Sequence, residues 1–194
     1  SNDIAGVANL IRVCESRAKV LMVAYNLRFL DSMMEFRNLL NAGLIGNPLS
    51  VRCEVGQYLP TWRQGKDYRE SVSAQKSLGG GVLLELSHEI DYLRWIFGEV
   101  DWVRATILKQ SNLEIDVEDT AHIILGFESQ ESDRILVATL NMDFIRHDTY
   151  RKCTVIGEIG SLRWDAISGE VSLFREGETS WRTVFKQIDG IEKS

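Results

Sequence analysis

"SLGGGVLLELSHEIDYLRWIFGE", residues 77–99, sets three consecutive glycines directly before an apolar run that carries His88 among Glu85, Glu89 and Asp91. Glycine takes positive φ, or lets another surface come close, at little cost, so 79–81 reads as a sharp entry turn. The segment from Val82 to Phe97 is long enough for a helix of about four turns, and Gly98 is its natural stop. On that helix Glu85, His88 and Asp91 recur every three residues and share one face, with Tyr92 beside them. The other faces carry Leu83, Leu86, Ile90, Leu93, Ile96 and Phe97. So apolar a helix is buried, and its polar stripe must meet a cleft, a partner domain or internal hydrogen-bond partners.

The flanks say what it is buried against. Beyond Pro48 the apolar period is two: Val51, Cys53 and Val55 alternate with Arg52 and Glu54, and the pattern returns near 102–109, 120–128, 134–143, 150–157, 161–165, 170–175 and 180–186. These predict an antiparallel sheet joined by hairpins such as the "SG" turn at 168–169. Upstream, Met33, Phe36, Leu39 and Leu40 mark a helix from Leu30 to Ala42 that ends at Gly43. The predicted class is therefore α+β, a large open, mostly antiparallel sheet with helices on one face.

Residues 1–26 stand apart. Ile4, Val7, Leu10, Ile11, Cys14 and Ala18 predict an amphipathic helix that Asn2 or Asp3 could cap. "VLMVAY" at 20–25 reads as a strand buried on both faces of a parallel sheet, yet nothing later in the chain resembles a parallel partner.

Composition narrows the function. The chain has 194 residues, 44% of them hydrophobic, and a formal charge of −6, enough for a sizeable core and the wrong sign for a nucleic-acid surface. No run reaches the roughly 18 apolar residues of a membrane span, and no signal-peptide pattern opens the sequence, so no membrane partner is expected and the expectation is cytoplasmic. Cys14, Cys53 and Cys153 are widely separated and read as buried, inert thiols.

His88 is the candidate for chemistry. A carboxylate one turn away on each side can orient an imidazole and raise its basicity, as general acid–base work near neutral pH requires; the plainer reading is a satisfied core histidine beside local ion pairs. A metal site is not expected, because His88, His122 and His147 are the only histidines and no cysteine pair accompanies them. The glycine run lacks the spacing of a dinucleotide fingerprint.

Taken with "VLMVAYNLRF" (20–29) and "LLNAGLIGNPLSVR" (39–52), the segment "GGGVLLELSHEIDYLRWIFG" resembles the Gfo/Idh/MocA family of NAD(P)-dependent oxidoreductases. The resemblance implies that 1–26 is the last helix and strand of a truncated Rossmann domain. It makes 27–194 a C-terminal substrate-binding and oligomerisation domain, itself truncated at its end. The glycine loop and catalytic lysine would then lie before Ser1, so the parent would use NAD or NADP while this chain alone binds no cofactor and is inactive. His88 matches the family's acid–base histidine. The aspartate expected four residues earlier is Leu84, leaving Glu85 to take that role or the role to be lost. Asp91 matches a frequent family acid, and Tyr25, Asn26 and Arg28 match a motif near the nicotinamide. For substrate, the implied candidates are Gln57, Tyr58, Trp62, Arg63, Asp67, Tyr68 and Arg69, with Asp91 and Tyr92 from the helix. A sugar or nucleotide sugar fits aromatic stacking and arginine clamping. The implied assembly is a homodimer or larger, formed through the sheet face; the alternative is a non-catalytic sugar-binding or assembly module.

Overall fold

The computed structural model describes residues 4–128 and 135–187. The expected helix cap at Asn2 or Asp3 and the first residue of the strand expected at 134–143 lie outside them. The described elements are α1 (Val7–Ser16), α2 (Asp31–Asn41), β1 (Pro48–Gly56), α3 (Val82–Glu85), α4 (His88–Phe97), β2 (Trp102–Leu108), β3 (Thr120–Glu128), β4 (Ile135–Asp143), β5 (Tyr150–Gly157), β6 (Gly160–Asp165), β7 (Glu170–Arg175) and β8 (Arg182–Lys186).

Eight strands form one open sheet in the order β2-β3-β4-β1-β5-β6-β7-β8. Every pairing is antiparallel except β1 with β4. The later strands therefore are not the simple meander their spacing suggests. β1 comes first in the chain but sits between β4 and β5, because its Val51, Cys53 and Val55, all buried, need apolar neighbours on both sides. The register supplies them: Val51 stands beside Ala138 and Val155, Cys53 beside Leu140 and Cys153. The directly opposed cysteines are free and buried, as expected, whereas Cys14 is only half-buried.

Both helical layers lie on this inward face. α2 packs over β6 to β8 with Met33 and Phe36 fully buried, and Ser32 Oγ accepts the indole N–H of Trp164 at 3.1 Å. α4 sends Tyr92 onto the sheet, fully buried against Trp164 of β6 with ring centroids 5.5 Å apart. On the opposite face Arg52, Thr139 and Thr154 stand side by side.

The N-terminal segment departs from expectation. α1 forms, entered at Gly6, but has no buried residue, and 20–25 is not a strand, Val20 being 92% and Val23 74% exposed. A strand apolar on both faces holds its conformation through neighbouring strands, and no described residue pairs with this one. Residues 60–79, aperiodic in sequence, wind through short 3₁₀ turns at Tyr68–Glu70, Val72–Ala74 and Lys76–Leu78.

Candidate functional site

The glycine run forms the sharp entry turn that its sequence implies. A Cβ on Gly80 would stand 2.3 Å from the Val72 carbonyl oxygen, and Gly81 has φ +106° with the Glu118 carboxylate where its Cβ would be. Only glycine lets the loop and Glu118 close on this backbone. Glu118 then caps α3, accepting the Leu83 N–H at 3.2 Å. The single helix expected over 82–97 is broken at Leu86 and Ser87, so α4 starts at His88 itself.

That break separates the expected carboxylate from the histidine. Glu85 lies on α3 and accepts a 2.8 Å hydrogen bond from Ser73 Oγ. His88 is half-buried, its Nδ1 buried without a hydrogen-bond partner among the described residues, and Tyr25 meets it edge-on at 5.4 Å between centroids. One turn on, Asp91 is held by Arg28 in a two-pronged pair, Nε to Oδ2 at 2.7 Å and Nη2 to Oδ1 at 2.6 Å, and Arg28 also lies 5.7 Å from the Trp95 ring. Tyr25 and Arg28 thus reach the turn bearing His88, while Asn26 begins the 3₁₀ turn between them. Tyr92 belongs to the core, its hydroxyl 2.7 Å from Cys53 Sγ; it lies three residues after the fully buried Glu89, on the same inward face of α4.

Sequence reasoning missed two residues here. Glu89 is fully buried, with Arg151 Nε 2.9 Å from its Oε1. Burial pushes its carboxyl up to about 7, and Arg151 only partly opposes this. Burial, then the Arg151 charge, lowers His88 below the ordinary imidazole range, and Asp91 pulls the other way. The signal for Arg151 lay in the strand alternation, since 151, 153 and 155 share the inward face.

Beside this turn an open pocket of about 490 Å³ is lined by Leu59, Trp62, Arg63, Lys66, Tyr68 and Ser73, among others. His88 is not in its wall; Ser73, which touches Glu85, joins the two. Trp62 packs on Phe144 at 5.2 Å, and its indole N–H is buried without a partner among the described residues. Arg69 is already engaged, with Asp67 at 2.6 Å and Glu114 at 3.0 Å, leaving Arg63 and Lys66 as unpaired cations of the wall among the described residues. Gln57 is tied to the sheet through its backbone N–H, which donates to the Asp143 carbonyl at 3.2 Å. Tyr58 stacks on His147 at 4.2 Å.

This open-sheet fold is shared by known proteins. The family model for the GFO/IDH/MocA C-terminal domain matches residues 33–163. The chain belongs to the GFO/IDH/MocA family. Oxidoreductase P35 of Formosa agariphila is 23% identical over 172 residues, which cover 88% of this chain and 51% of that protein. The inositol dehydrogenase homolog of Azotobacter vinelandii, solved with NAD+, has TM-score 0.73 at 16% identity over 91% of this chain and 46% of its own. The WlbA dehydrogenase of Bordetella pertussis, solved with NADH and UDP-GlcNAcA, has TM-score 0.71 at 18% identity over 93% and 51%. The chain therefore spans about half the length of the curated relative it matches. Among the described residues no helix is long and apolar enough to cross a membrane, and no His, Cys, Asp or Glu cluster could hold a metal ion.

Proposed function

We propose that this chain is the substrate-binding half of a nicotinamide-dependent oxidoreductase that interconverts a sugar hydroxyl and carbonyl, with His88 as the acid–base residue. The observation that carries it is a half-buried imidazole, depressed below its ordinary range, at the head of a buried helix in a member of an oxidoreductase family. A neutral imidazole accepts the proton of a reacting hydroxyl, and the same group returns it in the reverse direction. NAD or NADP, when bound, takes up the hydride lost from the carbinol carbon, so that alcohol and oxidised cofactor give carbonyl, reduced cofactor and one proton. Tyr25, edge-on to His88, fits a place near the nicotinamide. Asn26 begins the same turn, and Arg28 serves by holding Asp91. The described residues contain no glycine-rich βα turn to cradle a pyrophosphate, so the chain by itself is expected to bind no dinucleotide and to be inactive. Residues 1–26 would be the edge of the missing nucleotide domain, which accounts for their bare apolar surface.

The pocket offers what a sugar needs: the Trp62 and Tyr68 rings, and the Arg63 and Lys66 cations for a carboxylate or phosphate. The relative solved with UDP-GlcNAcA supports a nucleotide-linked or acidic sugar. Glu85 would orient the loop through Ser73, and Asp91 would hold the His88 turn in place. The sheet face opposite the helices would serve a homodimer, a state that Val137→Lys with Thr139→Glu would disrupt, as read by light scattering. A second reading, a non-catalytic sugar-binding or assembly module, is favoured by one observation: Leu84, where the family's aspartate would stand, is 52% exposed, and Glu85 is turned away to Ser73.

The parent protein assayed for NAD(P)-linked turnover on a panel of neutral sugars, uronates and nucleotide sugars decides between the two. Turnover selective for one class supports the enzyme. Saturable binding without turnover of any of them supports the module.

A further inference from the structure

The connection between β2 and β3 carries "LEIDVED" at 113–119, apolar and acidic residues in alternation. Leu113 and Val117 are buried and Ile115 packs against the core, while Glu114 and Asp116 are exposed and Glu118 half-buried on the other side. The base of this segment is fixed. The Asp119 carboxylate, fully buried, accepts the N–H groups of Gln110 and Ser111 at 2.7 and 2.9 Å and the Ser111 hydroxyl at 2.6 Å. The Asp119 carbonyl accepts the Phe144 N–H at 2.9 Å, and Phe144 packs on the Trp62 ring of the pocket.

The three outward acids each reach a different part of the 68–83 segment. Glu114 donates its N–H to the Tyr68 hydroxyl at 3.1 Å, and its carboxylate accepts an Arg69 N–H at 3.0 Å. Asp116 accepts the Lys76 N–H at 2.7 Å and donates its own N–H to the Ala74 carbonyl at 3.3 Å. Glu118 accepts the Leu83 N–H on its carboxylate and the Val82 N–H on its carbonyl, both at 3.2 Å. Tyr68 and Ser73 line the pocket, and Val82 and Leu83 open α3. Between them the wall consists of short 3₁₀ turns, which are too brief to set its shape alone. The carboxylates bind donors of the chain itself, and among the described residues they form no group that could hold a metal ion.

We propose that residues 113–119 are the positioning element of the pocket: they hold its wall at 68–76 at a fixed separation from α3, with Asp116 as the central residue, so that the Tyr68 side of the pocket is preformed for its ligand. This rests on the reading of the pocket as the substrate site. Asp116 does not line the pocket; it acts through the backbone of Ala74 and Lys76. Arg28 and Asp91 hold the His88 turn separately, so a loosened wall weakens binding and leaves proton handling in place.

Amide exchange followed by NMR on this chain reads the brace without cofactor or substrate. Asp116→Ala removes the acceptor of the Lys76 N–H and is expected to speed exchange between residues 68 and 83 about tenfold, with the amides of β1 and β5 unchanged. Asp116→Asn, which keeps an acceptor oxygen, should stay near wild type. Unchanged exchange at 68–83 in folded Asp116→Ala, or equally fast exchange in the Asn variant, would overturn the proposal. Should Asp116→Ala fail to fold, Glu118→Ala decides: faster exchange that spreads from Val82 and Leu83 to 68–76 supports it, and exchange that stays local or unchanged overturns it. In the parent protein, Asp116→Ala should raise KM about tenfold with kcat within about threefold of wild type, and Asp116→Asn should restore KM. A wild-type KM in the alanine variant overturns the positioning role. A wild-type parent that turns over no sugar defeats the reading of the site instead, and the exchange result still decides whether 113–119 holds the wall.

Discussion

The first turn of α4 and the loop at 57–73 are built in opposite ways. At the helix turn the charged groups are paired within the chain: Asp91 is hydrogen-bonded to Arg28, and Glu89 lies within ion-pair distance of Arg151. Around the pocket Arg63 and Lys66 have no ion partner among the described residues. A proton-transfer group gains from a fixed environment, because its affinity for the proton is set by charges a few ångströms away. A recognition surface gains from donors left open for a ligand. The difference assigns the two regions different work, and substitutions should affect them differently.

The largest effect is expected where the fixed region is cut. Arg151→Met strands the Glu89 carboxylate in the core and should cost about 3 kcal/mol at pH 8, read by urea denaturation, with a smaller loss at pH 5.5, where the carboxyl takes up a proton. Equal losses at both pH values would mean that the charge pair is not what holds the turn.

Glu89 alone gives the next prediction. Its folded value of about 7 lies above the ordinary 4.5, so the native state binds more protons than the unfolded chain between those values. Stability contributed by this group is therefore complete at low pH and lost as pH rises through about 7. Glu89→Gln should flatten that part of the melting-temperature profile between pH 5 and 8. A Gln variant whose profile keeps the wild-type slope contradicts the assignment.

Asp91→Asn replaces a two-pronged ion pair whose arginine is about a third exposed, and should cost about 1–2 kcal/mol in the same denaturation experiment. The smallest stability effect belongs to the pocket. Arg63→Ala and Lys66→Ala should change stability by no more than about 0.5 kcal/mol while weakening binding of an acidic or nucleotide-linked sugar by the parent, measured by calorimetry. A large stability loss there would dissolve the distinction between the two regions.

Much of this was legible because the signals were local. Period-two alternation located all eight strands, and Gly43 ends α2 with φ +70° as its position implied. His88 stood out by its neighbours along the sequence. What could not be read depended on contacts between distant segments. The place of β1 between β4 and β5 follows from which apolar strands need two neighbours, not from chain order. The break at Leu86 and Ser87 follows from how Glu118 and the 72–73 backbone close on the glycines, and it sends Glu85 to Ser73 instead of His88. Arg69 looked like a ligand clamp until Asp67 and Glu114 were found on it. "VLMVAY" has the composition of a strand without the conformation, because a strand apolar on both faces needs neighbours that the described residues do not supply.

The central claim is that His88 handles the proton. Steady-state kinetics of the parent protein carrying His88→Asn, on whichever sugar the wild type turns over, test it most directly. The account predicts a kcat loss of about 10²- to 10⁴-fold with KM nearly unchanged; a kcat equal to wild type would contradict it.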